Sequence, residues 1–189
     1  MRSVETRGEA ILSASDLDAL ATGVRGTVLL PHSPAYDTAR TLWNAMIDRR
    51  PAAIAQCTSA DDVAYAVRFA ADRKLLLSVR GGGHNIAGLA CCDNGLMIDL
   101  SLMKAVRVDP TSRTVQVGGG ATLGEVDRET QRYGLATPLG INSTTGVAGL
   151  TLGGGFGWLS RKFGLTIDNL LSAEIVLADG ARVTASESQ

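Results

Sequence analysis

The sequence predicts an α+β fold in two lobes, a small βαβ lobe and a mostly antiparallel sheet lobe with helices. Residues 52–79 contain an apolar run, a helical pattern and a second apolar run, which is the order of a βαβ unit. Short paired strands with turn residues between them follow. Most of the 22 glycines lie between Gly81 and Gly157. This local excess of glycine indicates a binding site rather than a flexible chain.

Residues 1–50 are predicted to form a helical lead-in to a domain that spans residues 51–189. Ser15 and Asp16 mark the start of a helix at Leu17. A second helical segment is predicted from the spacing of its larger side chains, Ala39, Leu42, Trp43, Met46 and Ile47.

The predicted βαβ unit begins with a strand at residues 52–55. Ser59 is the expected N-cap of the next helix, with Asp61 and Asp62 in its first turn. One apolar face of that helix is formed by Val63, Ala66, Val67 and Ala70. The second strand, at residues 75–79, ends at a glycine loop, and α/β sheets bind ligands at the carboxyl ends of their strands.

The pattern then changes to short strands at residues 95–100, 105–108 and 114–117, the last two joined as a hairpin. Thr122 and Glu125 have the spacing of a capping box, and Gly134 ends the helix that they begin. A final hairpin is predicted at residues 172–184, turning at Ala178-Asp179-Gly180.

Two glycine systems indicate the ligand. In the first, three glycines separate the strand from His84, one of only two histidines. Glycine amides that lack a neighbouring β-carbon can approach an anion such as phosphate. In the second, the sequence between Arg132 and Arg161 has no charged residue and is rich in glycine, so it is either buried or lies along a large ligand. A flavin dinucleotide, part apolar and part phosphate, fits both systems.

Composition argues against several other classes of protein. A net charge of −1 with mixed signs gives no basic surface for nucleic acid and no polybasic patch for a membrane. The three cysteines match neither a disulfide framework nor a zinc site, so no metal is expected. The charged N-terminus lacks the apolar core of a signal peptide, and the expected location is cytoplasmic.

Nucleotide-binding motifs of other classes do not match. A Rossmann dehydrogenase needs G-x-G-x-x-G, and the sixth position counted from Gly81, Gly118 or Gly153 is never glycine. A phosphate-binding Walker loop needs Gly-Lys-Ser or Gly-Lys-Thr, and neither tripeptide occurs.

From about Pro51 to its end, the chain resembles the FAD-binding domain of the p-cresol methylhydroxylase and vanillyl-alcohol oxidase superfamily. Within it the chain is most similar to the berberine bridge enzyme-like FAD-linked oxidases. The segments that carry the resemblance are Arg80–Asn85, Met97–Met103, Val117–Ala121, Gly149–Gly157 and Gly164–Asn169. In this order and spacing they form a specific signature.

The resemblance implies that a ring nitrogen of His84 bonds the 8α-methyl carbon of FAD and that the glycines before it hold the pyrophosphate. It assigns no catalytic residue in this chain. The cofactor-binding residues that it implies are Arg80, Gly81, Gly82, Gly83, His84, Asn85, Gly88, Gly119, Gly120, Pro138, Asn142, Gly146, Val147, Gly149, Leu152, Gly153, Gly154, Gly155, Gly157 and Val176.

Two departures from the family limit what the resemblance implies. Many relatives have a second covalent link through a cysteine, and Asn142 stands at that position, so a single link is expected. The sequence stops at Gln189, where the family continues into a substrate domain that brings the catalytic base. The expected protein is the cofactor half of an oxidoreductase that takes a hydride from a small alcohol, sugar or amine. The alternative is a non-catalytic flavin-binding module or one subunit of a split enzyme, with a homo-oligomer or a substrate-domain partner.

Several side chains have two interpretations. His84 alone would be read as a turn histidine that hydrogen-bonds a backbone group, and the glycines around it favour the cofactor role. The hydroxyl loop Ser143–Thr145 suits either flavin contacts or ordinary turn chemistry. His32 is assigned no role. Three aromatic side chains in or just after the uncharged segment could stack on the flavin but are more often core residues, and they are Phe156, Trp158 and Phe163.

Overall fold

The structure, a computed structural model, describes residues 12–188. Its helices are α1 (Ala14–Gly23), α2 (Tyr36–Arg40), α3 (Ala60–Asp72), α4 (Leu123–Gln131), α5 (Val147–Leu152) and α6 (Ser160–Phe163), with a 3₁₀ turn at Ile167–Asn169. Its strands are β1 (Thr27–Leu29), β2 (Ala53–Gln56), β3 (Leu77–Arg80), β4 (Leu96–Asp99), β5 (Val106–Asp109), β6 (Thr114–Val117), β7 (Ser172–Val176) and β8 (Arg182–Ser186).

The βαβ unit belongs to a four-stranded sheet in the order β1-β2-β4-β3. The strands β2, β4 and β3 run parallel, and β1 is antiparallel to β2. The sequence interpretation grouped β4 with the antiparallel strands, and this was wrong. All four residues of β4 are buried, since a central parallel strand is covered on both faces and reads as a continuous apolar run.

Each face of this sheet packs on its own core. On one face, Ala55 and Ile98 pack with Phe69 of α3. On the other, Ile54 and Met97 pack with residues of the lead-in. Adjacent residues along a strand point to opposite faces, which explains how one short strand serves both cores. Ser59 caps α3 as predicted, its hydroxyl accepting from the Asp62 amide at 3.2 Å.

The lead-in differs from its prediction. The first helix is present but begins three residues earlier, at Ala14, because Ser13 forms a capping box with Asp16. Strand β1 lies within residues 1–50 and was not predicted. The second helix ends at Arg40, so a helix through residues 39–47 was wrong. Its C-cap, Thr41, is extended, and the side chain of Arg40 turns to bind Asp48.

The two antiparallel hairpins were predicted correctly. The hairpins β5–β6 and β7–β8 form separate two-stranded sheets. Thr122 and Glu125 form the predicted capping box of α4, the Thr122 amide donating to Glu125 Oε2 at 2.8 Å. The core beside α4 contains Leu123, Val126 and Leu139, packed against β5, β6 and α5. The second lobe therefore has a core of its own.

Three aromatic side chains in or just after the uncharged segment were expected to lie in the core, and this was wrong. Phe156, Trp158 and Phe163 are 72%, 86% and 52% exposed. Two short helices, α5 and α6, interrupt the glycines here. A six-residue and a four-residue helix offer little surface to cover large side chains, so these rings lie on the outside.

Candidate cofactor site

The first glycine loop continues directly from β3. Its two ends are held by backbone hydrogen bonds, one from Leu100 N to Arg80 O at 2.9 Å and one from Trp43 N to Gly83 O at 3.1 Å. Gly83 has φ +71°, a conformation that L side chains rarely adopt. The sheet and the lead-in thus fix the loop from both sides.

The two glycine systems of the sequence meet in the structure. A β-carbon placed on Gly82 would collide with the backbone nitrogen of Gly146, and one placed on Gly81 would lie 3.1 Å from the carbonyl oxygen of Gly119. Gly120 is similarly pressed against the carbonyl of Leu100. These glycines are needed for contact between backbones, which is a reason additional to the predicted approach of an anion.

Other glycines face open space. A β-carbon on Gly149 would meet nothing within 4 Å, and one on Gly153 would meet only helix carbonyl oxygens at 3.5 Å or more. Gly149 lies inside α5, where glycine costs about 1 kcal/mol relative to alanine. Among residues 12–188, no neighbour requires glycine at this position. The open face of α5 therefore has the features expected where a large ligand approaches the backbone.

His84 lies where the two systems meet. Its Nε2 is 2.9 Å from Thr144 Oγ1, and its Nδ1 is 3.4 Å from Thr145 Oγ1. The indole ring of Trp43 stacks on the imidazole, with centroids 5.2 Å apart and planes inclined by 22°. Partial burial lowers the pKa of His84 below its usual value, which favours the neutral imidazole.

The hydrogen bonds of Thr144 determine which nitrogen of His84 carries the proton. Asn142 Oδ1 accepts from the Thr144 amide at 3.1 Å, which fixes the side-chain oxygen on that side. The same oxygen accepts from the Thr144 hydroxyl at 2.9 Å. A hydroxyl has one proton, so Thr144 Oγ1 accepts from His84 Nε2–H. Nδ1 is therefore unprotonated, and its lone pair has only the longer contact with the Thr145 hydroxyl, at 3.4 Å.

Asn142, which the sequence resemblance aligns with the cysteine of many relatives, has a defined contact within the chain. Its side chain orients Thr144, and its carbonyl accepts from Thr145 N at 3.0 Å. The hydroxyl loop Ser143–Thr145 was interpreted as contacting flavin or forming a turn. The structure shows the turn, and it directs two hydroxyls toward His84.

The side chain of Arg80 lies beneath the glycine loop, with its Nε 3.2 Å from the position that a β-carbon on Gly83 would take. Its Nη1 donates to Ala39 O at 2.8 Å and lies 3.7 Å from Asp99 Oδ2. Asp99 is completely buried and also accepts from Gln56 and Ser101. These contacts hold Nη1 within the protein, whereas Nε is buried without a hydrogen-bond partner among the described residues.

The remaining predicted residues fall in three places. Asn85 and Gly88 shape the loop after His84, with Asn85 Oδ1 accepting from Leu89 N at 3.0 Å and Gly88 pressed against Ile47. Val176 packs against the core beside α3, and its role in the site rests on the resemblance alone. The other members lie along the second system, which contains Pro138, Asn142, Gly146, Val147, Gly149, Leu152, Gly153, Gly154, Gly155 and Gly157.

Sequence reasoning missed Trp43. Its apolar ring at a helical spacing was interpreted as part of a helix face. A signal was available in the next residues, since Asn44 is poor at helix propagation and Pro51 follows soon after.

Within residues 12–188, no helix is long and apolar enough to cross a bilayer. No group of three or more metal-ligating side chains was found in the same part of the chain.

A family profile described as FAD binding domain matches residues 51–186. (R)-6-hydroxynicotine oxidase of Paenarthrobacter nicotinovorans is 39% identical over 166 residues, which are 88% of this chain and 36% of that protein. The chain thus spans about a third of the length of this relative.

Solved structures show the same likeness. A crystal structure of 6-hydroxy-D-nicotine oxidase from Arthrobacter nicotinovorans has a TM-score of 0.86 and 36% identity, over 99% of this chain and 38% of that chain. Xylooligosaccharide oxidase from Myceliophthora thermophila, in complex with xylobiose, has a TM-score of 0.86 and 32% identity, over 93% of this chain and 38% of that chain.

Proposed function

The chain belongs to the FAD-binding domain family of the berberine bridge enzyme-like FAD-linked oxidases, and on this premise we propose that it is the cofactor half of an oxidoreductase. The proposed reaction takes a hydride from a small alcohol, sugar or amine. The observation that carries the proposal is the position of His84, an imidazole with an unprotonated Nδ1 at the meeting point of two glycine systems.

The residues present fit FAD. Backbone amides at the carboxyl end of β3 suit a pyrophosphate, because amide donors offset phosphate charge without lysine. The uncharged segment with its open glycines suits the flavin ring, which is large and mostly apolar. When bound, FAD supplies the two-electron acceptor for the hydride. The residues of this chain hold and orient it.

We propose that His84 is the single point of covalent attachment, through Nδ1. Asn142 replaces the cysteine that would make a second link. Attachment forms one C–N bond between the imidazole and the 8α carbon. His84 would lose its ring hydrogen and the methyl group would lose one hydrogen, and bound FAD would supply the two-electron acceptor that passes both to dioxygen as hydrogen peroxide. The hydrogen bond to Thr144 keeps Nδ1 unprotonated for this role.

The substrate side requires residues beyond the glycine systems. From Tyr133 to Ser160 the sequence has no carboxylate and no histidine, so this segment offers no side-chain base for a substrate proton. Leu152, Phe156 and Trp158, which we term the apolar edge, are 72–86% exposed. We propose that a substrate-binding part of the enzyme, in a further segment or a partner chain, covers this edge.

Binding of FAD is tested with purified apoprotein. FAD should raise the melting temperature of the protein, and its visible absorption spectrum should change on binding. NAD and ATP should leave the melting temperature unchanged. A melting temperature raised by NAD or ATP and not by FAD would contradict the proposed cofactor.

Hydride transfer is tested separately, under anaerobic conditions, with alcohols, amines and oligosaccharides. Residues 1–189 alone should reduce their flavin much more slowly than the ~1–10³ s⁻¹ usual for enzymes. Flavin bleaching at such rates by these residues alone would show that the substrate base lies within them. Exposed apolar edges also favour association between copies of the chain. Substitution of Phe156 and Trp158 by serine should reduce this association without loss of FAD binding.

A further inference from the structure

Trp43 lies outside the segment that matches the FAD binding domain profile, yet it contacts the first glycine loop twice. Its amide donates to Gly83 O at 3.1 Å, and its ring stacks on His84. The residues on either side also contact the loop. Leu42 is buried against Gly83, and Asn44 Nδ2 donates to Ile86 O at 2.9 Å.

Burial in the core does not explain Trp43. Its side chain is 56% exposed, so much of the indole remains in water. An aromatic ring that stays half-exposed can still contribute through stacking on a neighbouring ring. The ring contact of Trp43 in the described part of the chain is the imidazole of His84.

We propose that Trp43 is a positioning residue that fixes the plane and the hydration of the His84 ring, so that residues 42–44 are part of the cofactor site. The hydrogen bond from Nε2 to Thr144 restrains one edge of the imidazole but leaves the ring free to tilt about that bond. The indole covers one face and removes this freedom. Together they direct the Nδ1 lone pair, and a displacement of about 1 Å can lower a reaction rate ~10²-fold.

The consequence for flavin attachment rests on the proposed function, but the effect on His84 does not. The groups facing the imidazole are Trp43, Thr144 and Thr145, which are all neutral. Removal of the indole would hydrate the ring and release part of the burial that lowers its pKa. Loss of the indole face, which attracts imidazolium, acts in the opposite direction and is the smaller effect at an exposed site.

The first measurement uses apoprotein and nuclear magnetic resonance of the His84 ring. In Trp43→Ala, the ring protons should lose the upfield shift caused by the indole, and the pKa of His84 should rise toward its usual value. Trp43→Phe should lie between this variant and the parent. Tyr133→Ala is the matched control, since Tyr133 is an aromatic side chain of similar exposure, 52%. An unchanged His84 resonance and pKa in Trp43→Ala would overturn the proposal, whether or not FAD binds.

The second measurement separates positioning from binding. Trp43→Ala should attach FAD covalently ~10-fold to 100-fold more slowly, while the Kd for FAD before attachment stays within about 3-fold of the parent. Trp43→Phe should recover most of the rate. Attachment at the parent's rate, or an equal loss of affinity and rate, would contradict a positioning role. If the parent itself attaches no flavin, the proposed link at His84 has failed, and the resonance measurement alone decides on Trp43.

Discussion

The backbones of Gly82 and Gly146 are packed directly against each other. A β-carbon on either residue would collide with the backbone of the other, although they are far apart in sequence. This contact joins the loop after β3 to the start of α5 and brings His84 beside Thr144. The site therefore depends on two positions that must be glycine because their backbones are in contact.

Substitution of Gly82 by alanine should destabilise the whole protein. The added methyl group has no space and must displace backbone atoms, so the free energy of unfolding should fall by about 1–3 kcal/mol. Urea denaturation measures this change. A variant as stable as the parent would show that the two loops are not packed as described.

Gly149→Ala is the matched substitution, and we expect it not to destabilise the protein. Nothing lies within 4 Å of the new methyl group, and alanine favours the helix by about 1 kcal/mol, so stability should be kept or increased. If FAD lies along α5, its affinity should fall, since the methyl group occupies the space of the ligand. Calorimetric titration of both proteins with FAD measures this, and an unchanged Kd would place FAD elsewhere.

Removal of the Thr144 hydroxyl should slow flavin attachment. Thr144→Val keeps the side-chain volume but leaves His84 Nε2–H without its acceptor. The tautomer with an unprotonated Nδ1 is then no longer favoured. The expected decrease is ~10-fold to 100-fold. Thr144→Ser should retain the rate. Thr145→Val is the control, because its hydroxyl lies 3.4 Å from Nδ1 and makes the weaker contact. A larger effect at Thr145 would reverse the assignment of the two nitrogens.

The lowered pKa of His84 predicts a dependence on pH. Partial burial favours the neutral imidazole in the folded state, so the unfolded chain binds more protons as pH falls below the usual value near 6.5. The stabilising contribution is present above pH 6.5 and is lost as pH falls toward the pKa of the folded protein. The difference in unfolding free energy between parent and His84→Gln should therefore decrease from pH 7 to pH 5. An increase over that range would indicate a raised pKa.

Local signals in the sequence predicted most elements. Ser59 and the Thr122–Glu125 capping box marked two helices because side-chain caps act within four residues. The position of β4 between β2 and β3 depends on pairing between distant residues, which no local pattern records. The glycine systems were predicted to form a binding site, and this remains a prediction. The packing of Gly82 on Gly146 was not predicted, since sequence shows that a β-carbon is missing but not what replaces it.

The contact between Trp43 and His84 was also beyond sequence reasoning. A periodic set of apolar residues was read as a helix face, whereas Arg40 ends the helix by binding residues that follow it. The lead-in consequently bends toward the glycine loop. The role of His84 as a cofactor residue was predicted, and the side chains that orient it were not.

The visible spectrum after acid precipitation tests the central claim, attachment of FAD at His84, most directly. The precipitated parent protein should stay yellow. The control variant His32→Ala, which removes the other, exposed histidine, should stay yellow as well. His84→Ala should bind FAD and release it into the supernatant. A tryptic peptide containing His84 should carry the mass of the flavin in the parent. Flavin that remains with precipitated His84→Ala, or that leaves the precipitated parent, would contradict the claim.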